Sequence, residues 1–129
     1  MSKTGLIVFG HGSTIETANQ AVRDVALAMA RTGGHELVET AFLEAGKPDL
    51  ADASRTLVDR GATRLVVLPY FLTLGMHLKR DLPKLVAEVH ELLGVEIEVT
   101  PPLDGHPALQ QILLERAAAA AATQPCSPA

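Results

Sequence analysis

Leu65-Val66-Val67-Leu68-Pro69-Tyr70-Phe71-Leu72-Thr73-Leu74-Gly75-Met76-His77-Leu78-Lys79-Arg80-Asp81-Leu82-Pro83 changes its hydrophobic period within a few residues, and that change decides the fold. Its first four residues are uninterrupted apolar and end at a proline, the pattern of a strand buried on both faces of a parallel sheet. From Leu78 onward apolar residues fall at Leu82, Leu85, Val86 and Val89, which is helical spacing. Pro83 reads as an early-turn proline, where a missing N–H costs least. A buried strand running into a helix puts His77 in the crevice beyond the carboxyl end of a central strand, beside a helix N-terminus. Open α/β sheets hold their ligands there.

The same rhythm extends in both directions. Leu6-Ile7-Val8-Phe9 is a second fully apolar run, stopped by Gly10-His11-Gly12-Ser13, whose glycines permit a tight turn. A helix from about Thr17 to Arg31 is expected to bury Ala18, Val22, Val25 and Met29, and Gly33-Gly34 ends it. His35 to Leu43 reads as a mixed, more peripheral strand that delivers Glu44 at its carboxyl end. Pro48 is read as opening a helix that faces inward through Leu50, Ala53, Leu57 and Val58 and closes at Gly61. Val95-Glu96-Ile97-Glu98-Val99 alternates strictly and stops at Pro101-Pro102, as an edge strand does. Gly105-His106-Pro107 starts a last helix, expected to face inward through Leu109, Ile112 and Leu113. Four strands alternating with four helices imply an α/β, flavodoxin-like, three-layer domain. With the all-apolar strands central, the parallel sheet has the order 2-1-3-4.

A chain of 129 residues is about one domain, here residues 1–122, with 123–129 expected to be a disordered tail. Eleven Lys and Arg against fifteen Asp and Glu, a net charge of −4, with no basic run, give no reason to expect nucleic acid. The single cysteine, Cys126, excludes an internal disulfide and a cysteine metal cluster within one chain, and a reducing cytoplasm fits best. The N-terminus leads into too short an apolar run for a signal peptide or membrane span, so no membrane association is expected.

His11, Glu44 and His77 follow the first three strands and should emerge at one end of the sheet. Two imidazoles and a carboxylate form a borderline donor set suited to cobalt, iron, nickel or zinc, and so few ligands leave positions open for water or substrate. The same residues also read as loop histidines bonded to backbone and a solvated strand end, and spacing alone does not separate the two readings. A phosphohistidine enzyme is disfavoured, because Gly10 stands where such enzymes set an arginine before the histidine.

His11-Gly12-Ser13 with Asn19 downstream, Ala41-Phe42-Leu43-Glu44 followed by Pro48, Pro69-Tyr70-Phe71-Leu72 with Gly75, His77, Asp81 and Pro83, and Pro102-Leu103 with Gly105, His106 and Pro107 occur in that order. In this arrangement the chain resembles the class II tetrapyrrole chelatases, in particular the small single-domain sirohydrochlorin cobaltochelatases and their ferrochelatase relatives. The resemblance implies insertion of a divalent metal into sirohydrochlorin or a related tetrapyrrole, on the way to cobalamin, siroheme or a nickel tetrapyrrole. Co2+ is the first expectation, with Fe2+ or Ni2+ as alternatives; the metal is a substrate, and no organic cofactor is expected. The two family histidines match His11 and His77, and the assisting carboxylate matches Glu44. Thr14 departs from the arginine many members carry, and the histidine-rich segment of some small members is missing.

Insertion requires the loss of two pyrrolic protons and transfer of the cation to four ring nitrogens, so it needs a base and a weak ligand set. His11 is the expected principal ligand, His77 its partner or the proton acceptor, and Glu44 a ligand or relay. A polycarboxylate substrate on an acidic protein needs local positive potential, for which Lys79, Arg80 and the helix N-termini are the candidates. Tyr70, Phe71, Leu72, Leu74 and Met76 offer an apolar wall for the macrocycle or, alternatively, core packing. The motif positions Ser13 and Gly75 complete the tetrapyrrole-binding set that the resemblance implies. His35 and His90 read as surface residues, and His106 as a helix start. A homodimer is expected, joined at Phe71-Leu72-Thr73-Leu74 and the edge strands, since one domain leaves one side of a flat macrocycle exposed. The alternative function is a carrier that binds metal or tetrapyrrole without inserting anything.

Overall fold

The computed structural model of the chain describes residues 3–122. Eight elements alternate: β1 (Thr4–Gly10), α1 (Glu16–Gly33), β2 (Val38–Phe42), α2 (Leu50–Asp59), β3 (Arg64–Pro69), α3 (Met76–Leu93), β4 (Glu96–Val99) and α4 (Pro107–Ala122). All strand pairs are parallel and the order is β2-β1-β3-β4, as the two apolar runs require. Ile7, Phe9, Leu65 and Val67, alternate residues of the two central strands, are essentially inaccessible and form one core with Leu50, Ala53 and Leu57 of α2 and Leu78, Leu82 and Val89 of α3. Helix α1 packs against β1 and β2 without joining that core, so it covers the opposite face. Burial of each such side chain contributes about 1.5–3 kcal/mol, which is why the all-apolar runs take the middle of the sheet.

Several local expectations are corrected. Helix α1 buries Asn19 and Ala26 and half-buries Val22 and Met29, while Ala18 and Val25 face solvent. The buried stripe is therefore offset by one residue at two turns, because a polar residue, Asn19, occupies a core-facing place that apolar periodicity does not register. Strand β2 begins at Val38 rather than His35, and β4 at Glu96 rather than Val95. Pro48 lies outside α2, after a cis peptide bond; the helix is capped by Asp49, whose carboxylate accepts from the Asp52 N–H at 2.9 Å.

Pro83 sits inside α3, beyond its first turn, where its ring denies the Lys79 carbonyl an intrahelical donor. Pro83 is exposed, so water has access to that segment. Helix α4 faces no core: it has no buried residue, Leu109 is half-buried, and Ile112, Leu113 and Leu114 are 46%, 69% and 56% exposed. Its alanine tract supplies helix propensity without an apolar stripe wide enough to seat it. Among the described residues no helix is long and apolar enough to cross a membrane. The expected tail, 123–129, and Cys126 within it, lie outside the described residues.

Candidate active site

Strands β1, β2 and β3 end level, with Phe9 in register with both Ala41 and Pro69, so the loops that follow them share one rim. The pairing continues past the strands: the Leu43 N–H donates to the Gly10 carbonyl at 3.0 Å, and the Glu44 N–H to the His11 carbonyl at 3.0 Å. On the other side the Tyr70 N–H donates to the Phe9 carbonyl at 2.8 Å. These bonds extend the rigid sheet into the loops that carry the side chains of interest.

His11 and Glu44 meet. The Nε2 atom of His11 lies 3.2 Å from Oε1 of Glu44, and the two side chains remain 58% and 65% exposed. His11 Nδ1 is 3.2 Å from the Gly12 carbonyl, which can only accept; in the tautomer that donates this bond, Nε2 turns its lone pair toward the carboxylate. In that form two acceptors face each other at a distance that a shared cation, either a proton or a metal ion, can bridge. An ion bonded to both at about 2.1 Å would see them subtend about 100°, suited to tetrahedral or octahedral coordination. The Phe71 ring stands edge-on to His11 with centroids 6.5 Å apart and rests in turn on Phe9 at 6.2 Å, which limits the imidazole's freedom.

His77 is placed differently from the expectation of a loop residue. It is the second residue of α3, exposed, and its Nδ1 lies 3.3 Å from the Arg80 guanidinium. Arginine only donates, so in this arrangement Nδ1 of His77 accepts and its hydrogen sits on Nε2. Arg80 also lies 3.4 Å from the Asp81 carboxylate. Among the described residues no group of three or more His, Cys, Asp or Glu side chains is close enough to share a metal ion, so His77 does not join His11 and Glu44 in one ligand set here.

The remaining candidates sort by burial. Tyr70, Leu72 and Met76 are 41%, 65% and 87% exposed, whereas Phe71 and Leu74 are half-buried against the core. Leu103, 37% exposed, belongs to the segment whose Leu103 and Asp104 N–H groups donate to the Phe71 and Leu72 carbonyls, and Ile15, 64% exposed, precedes α1. Ile15 and Leu103 thus add to the exposed apolar residues of the rim; the sequence reading did not single out Ile15 and took Leu103 only as a motif position. Ile15 was detectable in principle, since it holds an N-cap position where Ser, Thr, Asp or Asn is preferred.

Ser13 serves the loop itself, its Oγ accepting from the Ile15 N–H at 3.0 Å. Gly75 precedes α3 with an ordinary φ of −67°, and a Cβ there would meet nothing. Lys79 and Arg80 are exposed in the opening turns of α3. Both α1 and α3 lack a side-chain cap at their N-termini, unlike α2 with Asp49 and α4, where His106 Nδ1 accepts from the Ala108 N–H at 3.0 Å. The helix-start reading of His106 therefore holds, and His35 and His90 are exposed.

The family model of CbiX matches residues 5–120, which takes in all four strands but for Thr4 of β1, both loops of the His11–Glu44 pair and α3. The chain belongs to the CbiX family. Among its relatives in that family, a sirohydrochlorin cobaltochelatase of Methanococcoides burtonii is 31% identical, over 89% of this chain and 95% of that protein. A sirohydrochlorin cobaltochelatase of Sulfolobus acidocaldarius is 34% identical, over 88% and 89% of the two chains. The chloroplastic sirohydrochlorin ferrochelatase of Arabidopsis thaliana is 33% identical over 87% of this chain, which spans only half of that protein. It likewise spans 60% of a Methanopyrus kandleri cobaltochelatase.

Among solved structures, a CbiX protein of Marinobacter aquaeolei superimposes with a TM-score of 0.82 at 22% identity, over 92% of this chain and 97% of that one. The sirohydrochlorin chelatase SirB of Bacillus subtilis, in complex with cobalt, gives 0.83 at 23% identity, over 91% of this chain and 50% of that one. The last two likenesses establish a shared fold: the CbiX chain has the α/β architecture of these two proteins.

Proposed function

We propose that this CbiX chain is a sirohydrochlorin metal chelatase that inserts a divalent metal ion, Co2+ first and Fe2+ or Ni2+ as alternatives, into sirohydrochlorin. The observation that carries the reading is the His11 Nε2–Glu44 Oε1 approach of 3.2 Å, open to solvent at the carboxyl ends of β1 and β2. It is supported by relatives named for this activity at 31–34% identity over most of the chain.

In the reaction M2+ replaces two pyrrolic protons: two N–H bonds break, four metal–nitrogen bonds form, two protons leave, and the oxidation state of the metal is unchanged. Neutral His11 presents the Nε2 lone pair and Glu44 a carboxylate oxygen, so the pair can hold the incoming ion with few enough ligands to surrender it to four ring nitrogens. Once the ion has left, the same two atoms share a proton in its place, which gives the pair a second use as acceptor for a pyrrolic hydrogen. His77 is assigned to the proton-handling side rather than to the metal-holding pair: its Nδ1 becomes free to take a proton when Arg80 turns from it to a substrate carboxylate. The macrocycle is set against Tyr70, Leu72, Met76, Ile15 and Leu103. Its carboxylates are set against Lys79, Arg80 and the N-termini of α1 and α3, which carry no side-chain cap.

The test is an anaerobic absorbance assay of the purified protein with sirohydrochlorin and one of Co2+, Fe2+ or Ni2+ at a time, against the uncatalysed rate. Acceleration with at least one metal is expected. Tight binding of metal or tetrapyrrole without acceleration would make the chain a carrier instead. We further propose a homodimer as the working form, in the cytoplasm; the uncovered apolar residues of α4 and the unpaired edges of β2 and β4 support the association.

A further inference from the structure

We propose that Asn19 is a positioning residue for metal insertion, its side chain tying the loop that carries His11 to the loop that carries Glu44 and thereby setting the spacing of the two metal-handling atoms. The inference rests on the chelatase reading and names a residue of α1 that touches neither metal nor macrocycle.

Asn19 is 2% exposed on the face of α1 turned to the sheet, where Val22, Ala26 and Met29 are its neighbours in helical register. An apolar side chain would gain more from burial there, so the amide must be offset by its hydrogen bonds. They go to the two loops and to the first turn of α1. The Ser13 N–H donates to Asn19 Oδ1 at 2.8 Å, and Nδ2 donates back to the Ser13 carbonyl at 2.9 Å, a closed ring two residues from His11. Nδ2 also lies 3.4 Å from the Ala45 carbonyl, one residue from Glu44, and 3.3 Å from Oε2 of Glu16.

Ala45 has φ of 51°, a left-handed conformation that a non-glycine residue holds only when its surroundings impose it. One turn further along α1, the Arg23 guanidinium covers the Phe42 ring, pairs with Glu16 and reaches the Lys47 carbonyl at 3.5 Å. Helix α1 thus holds the Glu44 loop at two carbonyls, Ala45 and Lys47. Only Asn19 of these two donors also binds the His11 loop. Glu44 is itself placed by backbone and by this clasp rather than by its own burial, being 65% exposed.

The experiment compares Asn19→Leu, Asn19→Asp and, as a control in the same helix, Ala26→Gly, all as the full chain below their melting temperatures. Asn19→Leu removes every bond of the amide. Asn19→Asp keeps the acceptor for the Ser13 N–H but loses the Nδ2 donations to the Ser13 and Ala45 carbonyls and to Glu16, beside which it sets a second carboxylate; it tests the clasp with one bond to the His11 loop retained, should the leucine variant fail to fold. Co2+ titration without tetrapyrrole, followed by the visible absorption of the bound ion, is read beside kcat and KM for insertion.

Both Asn19 variants are expected to bind Co2+ about tenfold more weakly, with altered bands, as is usual when the group orienting a ligand is lost. Their kcat should fall about 100-fold while the KM for sirohydrochlorin stays within about threefold. Ala26→Gly, which weakens the same helix without removing a side-chain hydrogen bond, should keep the wild-type bands and kcat. Wild-type Co2+ spectra and kcat in either Asn19 variant, or equal losses in Ala26→Gly, overturn the positioning role. A wild-type protein that binds Co2+ but inserts none overturns the chelatase reading, and the role in insertion with it.

Discussion

A Cβ placed on Gly12 would stand 1.7 Å from the carbonyl oxygen of Glu44, and Gly12 itself has φ of 90°. The two loops of the candidate site therefore touch backbone to backbone, at a point where no other residue type fits. Gly12→Ala combines left-handed strain of about 1–2 kcal/mol with an overlap that only separation of the loops relieves. A melting temperature lower by several degrees and loss of Co2+ binding are expected in a thermal melt and a titration. A variant that melts and binds like the wild type would show that the loops are not in this contact.

Removing the imidazoles should affect chemistry and not folding, because His11 and His77 are both exposed. His11→Ala and His77→Ala are each expected to lower kcat by at least about 100-fold, the usual worth of a positioned acid or base, with unchanged melting temperatures. Co2+ affinity separates their roles: His11→Ala loses it, and His77→Ala largely retains it, since Arg80 rather than a metal ligand faces His77 Nδ1. Wild-type insertion rates in both variants would remove the site assignment.

Lys79 and Arg80 supply positive charge on an acidic chain. If they meet substrate carboxylates, Lys79→Ala combined with Arg80→Ala should raise the KM for sirohydrochlorin more than it lowers kcat. Raising ionic strength should weaken wild-type binding toward the level of the variant. A wild-type KM indifferent to salt would leave helix termini and apolar contact as the basis of binding.

Helix α4 leaves Ile112, Leu113 and Leu114 in water, and an isolated helix of its 16 residues is only marginally stable. A dimer in which α4 gains a partner surface is the expected working form. Sedimentation of the full chain at micromolar concentration should show twice the monomer mass, and Leu113→Glu should shift the population toward monomer. A single monomeric species with full insertion activity would establish that one copy suffices.

The candidate site was only partly legible. His11, Glu44 and His77 are marked by residue type at the ends of apolar runs, and strand polarity alone brings such positions to one rim. The sequence pattern does not report distances, so it could not separate a three-ligand set from what is found, a His11–Glu44 pair with His77 bonded to Arg80 on the first turn of α3. Asn19 was visible as a motif position, but its work is done through hydrogen bonds to Ser13 and Ala45, residues six before and twenty-six after it. Such pairings have no period.

What the sequence by itself determined is the sheet. Leu6-Ile7-Val8-Phe9 and Leu65-Val66-Val67-Leu68 can be buried on both faces only in the middle of a parallel sheet, and Ile97 and Val99 alternating with Glu96 and Glu98 can sit only at its edge. The order 2-1-3-4 follows from burial energy, which is additive along each strand. What only the tertiary structure decided is orientation: which stripe of α1 turns inward, where α3 begins relative to His77, and that α4 buries no residue against the described chain. The placement of α1 against the site depends on hydrogen bonds and backbone contacts between residues far apart in sequence, Asn19 to Ala45 and Gly12 against Glu44, and such contacts exist only once the sheet has brought the loops together.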